Sequence, residues 1–293
     1  MPKRKDPTTK TTKDDSSSDS DVDMLNVDFE WFDPAEIDFH GLKLLLRQLL
    51  DADADLFDLS ALADLIISQP TLGSTVKVSD DDDTDTKDTD PYAFLTILNL
   101  HAHREKEVVK QLVRYLVQKS GKIGTLAGLQ TLLQEEDENV QVGLVLTERL
   151  INMPTEIVPP MYTMLLEEIE WAVKDNEPYN FTHYLIISKV YTEIASRLDE
   201  DTEEPAQKKS KKNKKVLNGG SGETFFFHPE DEVLQENALG YRHYEYTKPW
   251  AEGASDAKRA FQEAGIRPLG SMILIEAAKF QKAVDAVKAY VGQ

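Results

Sequence analysis

Three short stretches of this sequence place residues with useful chemistry at close spacing. Asp51-Ala-Asp53-Ala-Asp55 sets carboxylates at alternate positions and opens like a calcium loop. Such a loop needs glycine at its sixth position and a bidentate glutamate at its twelfth. Leu56 and Leu62 stand there instead, so the stretch reads as a solvated connection between helices. His101-x-His103 is a pair that could share a metal, but no third ligand lies close in sequence and no His-Glu-x-x-His pattern occurs. His183, His228 and His243 read as hydrogen-bonded structural residues. Gln118-Lys-Ser-Gly121-Lys-Ile-Gly124 could cradle phosphates, in the manner of loops that hold the coenzyme A pyrophosphate. Its spacing is one residue too long, and a helical pattern rather than a strand precedes it, so a helix–helix turn is expected. No Walker A, G-x-G-x-x-G or G-x-S-x-G motif is present, and no nucleophile stands with a base. Cysteine is absent, which excludes thiol catalysis, disulfides and Cys-ligated metals. No catalytic residue, metal site or cofactor is therefore expected.

The elements that would position these groups follow from periodicity. Leu25, Val27, Phe29 and Trp31 alternate with polar residues, the period of a half-buried strand, which Asp33-Pro34 ends. Leu42, Leu45, Leu46 and Leu49, then Leu59, Leu62, Leu65 and Ile66, follow helical spacing. Strands are expected at 74–78, 93–100, 140–146, 183–190, 224–227, 241–246 and 272–275, and helices at 105–118, 125–134, around 161–172 after Pro159-Pro160, and around 280–291. Met272–Ile275 is apolar at every position, which places it inside a sheet. Strands alternating with helices give an α/β class, as one domain with a mixed central sheet and helices on both faces.

Charge gives the strongest statement about partners. The chain has 53 Asp+Glu against 33 Lys+Arg, a net charge of −20. Residues 24–90 hold 17 acids and four bases. Such a surface repels nucleic acid and anionic membranes and attracts basic proteins. Residues 1–23 read as a polar disordered tail, with Ser16–Ser20 beside acids in a pattern suited to acidic-directed phosphorylation. An acidic loop at 79–90 and a Lys-rich insert at 199–222 interrupt the domain at 24–293. Asp80, Asp81, Asp82 and Asp83 are the expected contact for a basic partner. Lys208, Lys209, Lys211, Lys212, Lys214 and Lys215 form the expected nuclear-import signal. With no signal-peptide core at the N-terminus and no apolar run long enough for a membrane span, the expectation is a soluble protein of nucleus and cytoplasm.

Several segments together resemble one family. They include Phe29-Glu-Trp-Phe-Asp-Pro34, Asp38-Phe-His-Gly-Leu-Lys43, Gly73-Ser-Thr-Val-Lys77 and Asp90-Pro-Tyr-Ala-Phe-Leu95. Further along come Val142–Pro154, Pro159-Pro-Met-Tyr162, Leu166–Trp171, Phe227–Gln235 and Lys258–Gly265. On these segments, spread over residues 24–293, the sequence is identified as a member of the BCCIP family. The resemblance implies a fold similar to the GNAT acetyltransferases without a working coenzyme A site. It also implies a nuclear role in ribosome production, as a chaperone of a basic large-subunit ribosomal protein of the universal L-fourteen type. Nuclear transport factors and export of a phosphatidylinositol-phosphate kinase are further implied links. Animal relatives are linked to a recombination protein and a cyclin-dependent-kinase inhibitor, so a nuclear adaptor for cell-cycle and repair proteins is the alternative. An acyl-CoA-dependent acetyltransferase is a remote one, resting on fold analogy alone.

Overall fold

The alternation near the start of the chain forms β1, Asp28–Phe32, at one end of an eight-stranded sheet. The computed structural model describes residues 28–69, 72–79, 90–134, 139–193, 224–248 and 266–292. The other strands are β2 (Ser74–Ser79), β3 (Ala93–Asn99), β4 (Val142–Arg149), β5 (His183–Glu193), β6 (Thr224–Phe226), β7 (Gly240–Tyr244) and β8 (Ile266–Glu276). Their order is β1-β2-β3-β4-β5-β8-β7, with β6 attached to the far end of β5. Among the described residues only β4 and β5 pair in parallel; every other pairing is antiparallel. β2 with β3 and β5 with β6 are therefore antiparallel neighbours across the two charged segments.

The central strands sort their side chains by the two-residue period of a pleated sheet. Leu144 and Leu146 of β4, Leu185 and Ile187 of β5, and Met272 and Leu274 of β8 enter one core. Their neighbours Val145, Tyr184, Ile186, Ile273 and Ile275 enter the other. Both faces are buried, which is why these strands read as unbroken apolar runs. β8 lies between β5 and β7, where its composition places it.

Helices α1 (Phe39–Leu50), α2 (Leu59–Ile67), α3 (Glu107–Ser120) and α4 (Leu129–Gln134) cover the first face. Asp58 caps α2, its carboxylate accepting from Ser60 N and Ala61 N. The helices α5 (Val158–Lys174), α6 (Glu230–Glu236) and α7 (Ala277–Val291) contribute to the second. Each fully buried Leu or Ile stabilises the fold by about 1.5–3 kcal/mol.

Three elements depart from expectation: β8 runs over Ile266–Glu276 rather than 272–275 alone, and two helices differ. α4 begins at Leu129 rather than at 125, because Gly124, at φ +115°, turns the chain and the bonds Ala127 N→Gly124 O and Leu129 N→Leu126 O form successive tight turns. α6, Glu230–Glu236, lies between the expected strands at 224–227 and 241–246, where no element is expected. Among the described residues no helix is long and apolar enough to cross a membrane.

Candidate functional site

β4 and β5 stay paired only from Val142 opposite His183 to Leu146 opposite Ile187. Beyond that point β4 continues along β3, and β5 continues along β8 and β6, so a wedge opens between them. The carboxyl ends of parallel strands are the general place where α/β sheets hold ligands. Here the wedge is filled by the chain itself. Glu148 of β4 receives His228 Nε2 at 2.9 Å on one oxygen and Lys189 Nζ of β5 at 2.5 Å on the other. Lys189 also donates to Gln48 O at 3.0 Å and lies over the Phe227 ring. Arg149 forks onto both oxygens of Glu230, with Nη2 at 3.0 Å from Oε2, and its own carbonyl accepts from Gln48 Nε2. Ser188 donates to Asp231. All seven of these acidic, basic, imidazole and hydroxyl side chains are buried.

The charges set each other's protonation. Burial alone would raise the Glu148 carboxyl, but the His228 hydrogen bond and the Lys189 ammonium outweigh it and hold the group at about 2. Asp231 has no such pair of partners. Burial, and then the neighbouring Glu230 carboxylate, push it up to about 7.

The strand-to-helix turn after β4 also lacks the means to hold a phosphate. Val158 N already donates to Thr155 O, and Pro159 and Pro160, next in the first turn of α5, have no N–H. The Gly121–Gly124 turn, the sequence's phosphate-loop candidate, connects helices as expected and wraps a cation. Arg242 Nη1 donates to Ile123 O at 2.8 Å, and a Cβ on Gly121 would meet the same atom at 2.7 Å. Gly121 lies at φ +69°, so the turn favours glycine on backbone grounds too.

The calcium-like acids have separate tasks. Asp53 is fully buried and accepts from Thr247 N and Lys248 N at 2.8 and 2.9 Å, with Tyr115 Oη at 3.1 Å and Lys119 Nζ at 3.3 Å. Those donors outweigh burial and lower its pKa. Asp55 pairs with Arg47 and Lys248 on the surface. His101 Nδ1 accepts from Val142 N. Among the described residues, no three His, Asp or Glu side chains are set to hold a metal ion.

Asp80, Asp81, Asp82 and Asp83 lie outside the described residues, beyond the end of β2 at Ser79, and so do Lys208, Lys209, Lys211, Lys212, Lys214 and Lys215. The described surface does expose Trp171 (57%) among Glu167, Glu170 and Asp175, and Ile151 (89%) just past β4.

Several buried contacts join the segments that carry the family resemblance. Glu148 and Arg149 meet His228 and Glu230; Asp38 pairs with Lys77 Nζ at 2.8 Å; Glu168 accepts from Gly73 N at 2.7 Å. A sequence model described as BCCIP matches residues 24–234. The chain belongs to the BCCIP family. Among its BCCIP-family relatives, Protein bcp1 of Aspergillus oryzae is 53% identical over 95% of this chain and 91% of its own. Protein bcp1 of Schizosaccharomyces pombe is 48% identical over 90% and 89%. The crystal structure of BCP1 from Saccharomyces cerevisiae superposes with a TM-score of 0.59 at 26% identity, covering 93% of this chain and 92% of that one.

Proposed function

We propose that this chain is a non-enzymatic escort that binds a basic ribosomal protein of the large subunit, of the universal L-fourteen type, during ribosome biogenesis in nucleus and cytoplasm. The observation that carries the reading is the filled wedge. The one parallel opening of the sheet among the described residues, where an α/β enzyme would hold a ligand, is occupied by the chain's own ion pairs. The helix that follows lacks the N–H groups a coenzyme A pyrophosphate would use. A mixed sheet with helices on both faces is compatible with descent from a GNAT-like fold whose cofactor site has been closed.

What the surface offers instead is charge. A free ribosomal protein is rich in Lys and Arg where it faces RNA, and a partner at net −20 competes with RNA for those residues. In this reading Asp80–Asp83 add to the attraction, Lys208–Lys215 engage nuclear transport factors, and a lipid kinase is a further passenger.

The test is to mix the purified chain with that ribosomal protein and follow the complex by sedimentation, with and without an rRNA fragment. A stoichiometric complex that excludes RNA and weakens with salt supports the escort. Failure to bind at low salt, or a ternary complex with RNA, refutes it. Saturable binding of acetyl-CoA by calorimetry would revive the acetyltransferase reading.

A further inference from the structure

The two ends of the sheet are finished differently. At β7 the chain closes its own edge. Thr125 Oγ1 donates to Tyr241 O at 2.6 Å and accepts from Tyr241 N at 3.0 Å, so one hydroxyl occupies both backbone groups turned away from β8. Gly240 permits the approach, since a Cβ there would meet Thr125 O at 2.6 Å. Arg242 pins the same turn through Ile123 O.

At the other end, no strand among the described residues lies beyond β1. Exposed edges are hazards that proteins blunt with short strands, charged side chains, proline or a bulge. β1 is short and its charges are all negative, which bars another acidic or a neutral edge and leaves a basic one admissible. It carries acids: Asp28 and Glu30 are exposed on one face, with exposed Asp33 just past the strand. The opposite face presents Phe29 and Trp31, only half-buried against the second core. This edge therefore has an acidic row, ending in half-buried Phe32, and an apolar row, each partly uncovered.

We infer that the outer edge of β1 is a docking strand for an extended basic segment of a protein partner, one in which Lys or Arg alternates with aliphatic residues. Main-chain hydrogen bonds to β1 would supply the pairing, as in β-strand addition. The basic residues would lie opposite Asp28 and Glu30, and the aliphatic ones would complete the cover over Phe29 and Trp31. The same code disfavours a second copy of this chain. Paired β1 strands would bring acids from both copies onto one shared edge, and like charges across a strand pair destabilise it. The inference deepens the escort reading by naming where and in what conformation the basic partner is held.

The probe is a capped, fluorescent peptide of alternating lysine and valine, titrated against the full chain. A control peptide is N-methylated at every second residue along one edge, which keeps the charge and removes the pairing N–H groups. The expected result is protection of the Asp28–Phe32 amides from hydrogen exchange on peptide binding, and weakening by about tenfold on N-methylation. The double substitution Asp28→Lys/Glu30→Lys should weaken binding by about tenfold as well, with exchange in β3 and β4 unchanged. If that variant fails to fold, the comparison of the two peptides on the unaltered chain decides. Equal affinity for both peptides, or no protection at β1, would show attachment by charge elsewhere and overturn the inference. The escort reading is tested separately. Capture of the ribosomal protein without protection at β1 removes this edge and keeps the escort, whereas protection by the peptide without capture keeps the edge and removes the escort.

Discussion

Glu148 is a carboxylate between two bases, buried from solvent. Pairs of this kind add little net stability relative to an apolar isostere, but removing one member strands the others. Glu148→Gln should cost about 3–5 kcal/mol in urea denaturation, because Lys189 remains buried without its counter-charge. The pH dependence has two opposed parts. Glu148 titrates near 2 in the folded chain against 4.5 for the free group, so its contribution is complete above about 4.5 and is lost as pH falls toward 2. Asp231 has the opposite sign. Its folded value of about 7 lies above the free 3.8, so the folded state holds the extra proton between them and stability declines as pH rises through that window. Asp231→Asn should remove that decline: between pH 5 and pH 8 the variant should gain on the parent chain in urea midpoint. A constant difference across the range would contradict the assignment. These residues were hard to read in advance. Periodicity treats a charge as a surface residue, and Glu148, Lys189 and Glu230 are all inside. The only pointer was indirect: Glu148 and Glu230 both sit within the segments that carry the family resemblance.

Helix α1 shows propensity and packing pulling in opposite directions. Gly41 lies inside it, where alanine would favour the helix by about 1 kcal/mol. A Cβ there would overlap Pro91 Cδ, part of a rigid ring, and overpacking of that kind costs about 1–3 kcal/mol. Gly41→Ala should therefore lower the thermal midpoint, and a rise would mean that the α1–Pro91 contact yields easily. Asp53 ties another pair of elements together, holding the chain after β7 to the turn after α1 by two backbone N–H groups. Asp53→Ala should cost about 3–5 kcal/mol and should speed exchange at the Thr247 and Lys248 amides. Most elements were legible because the sheet partitions its side chains so regularly. β3, β4, β5 and β8 follow from apolar runs, and α1, α2, α3, α5 and α7 from helical spacing. α6 was missed because its acids point inward to Arg149 and Ser188, which no local pattern records.

The whole molecule combines an acidic exterior with an interior that spends several acids on its own ion pairs. Asp38 and Asp53 belong to the acid-rich stretch at 24–90, yet both are buried and paired with buried lysines, so they take no part in the surface charge while its net value is unchanged. The remaining exposed acids should still control encounter with a basic partner. Neutralising Asp80–Asp83 should slow association and flatten its dependence on salt while changing dissociation little, as measured by stopped-flow at several ionic strengths. Unchanged kinetics would remove those residues from the mechanism. Affinity purification of the tagged chain from cells, at moderate salt with nuclease present, tests whether it escorts one basic ribosomal protein. An escort should yield stoichiometric recovery of a single large-subunit ribosomal protein of the L-fourteen type without the rest of the subunit. Recovery of transport factors, a lipid kinase or repair proteins, with no free ribosomal protein, would contradict it.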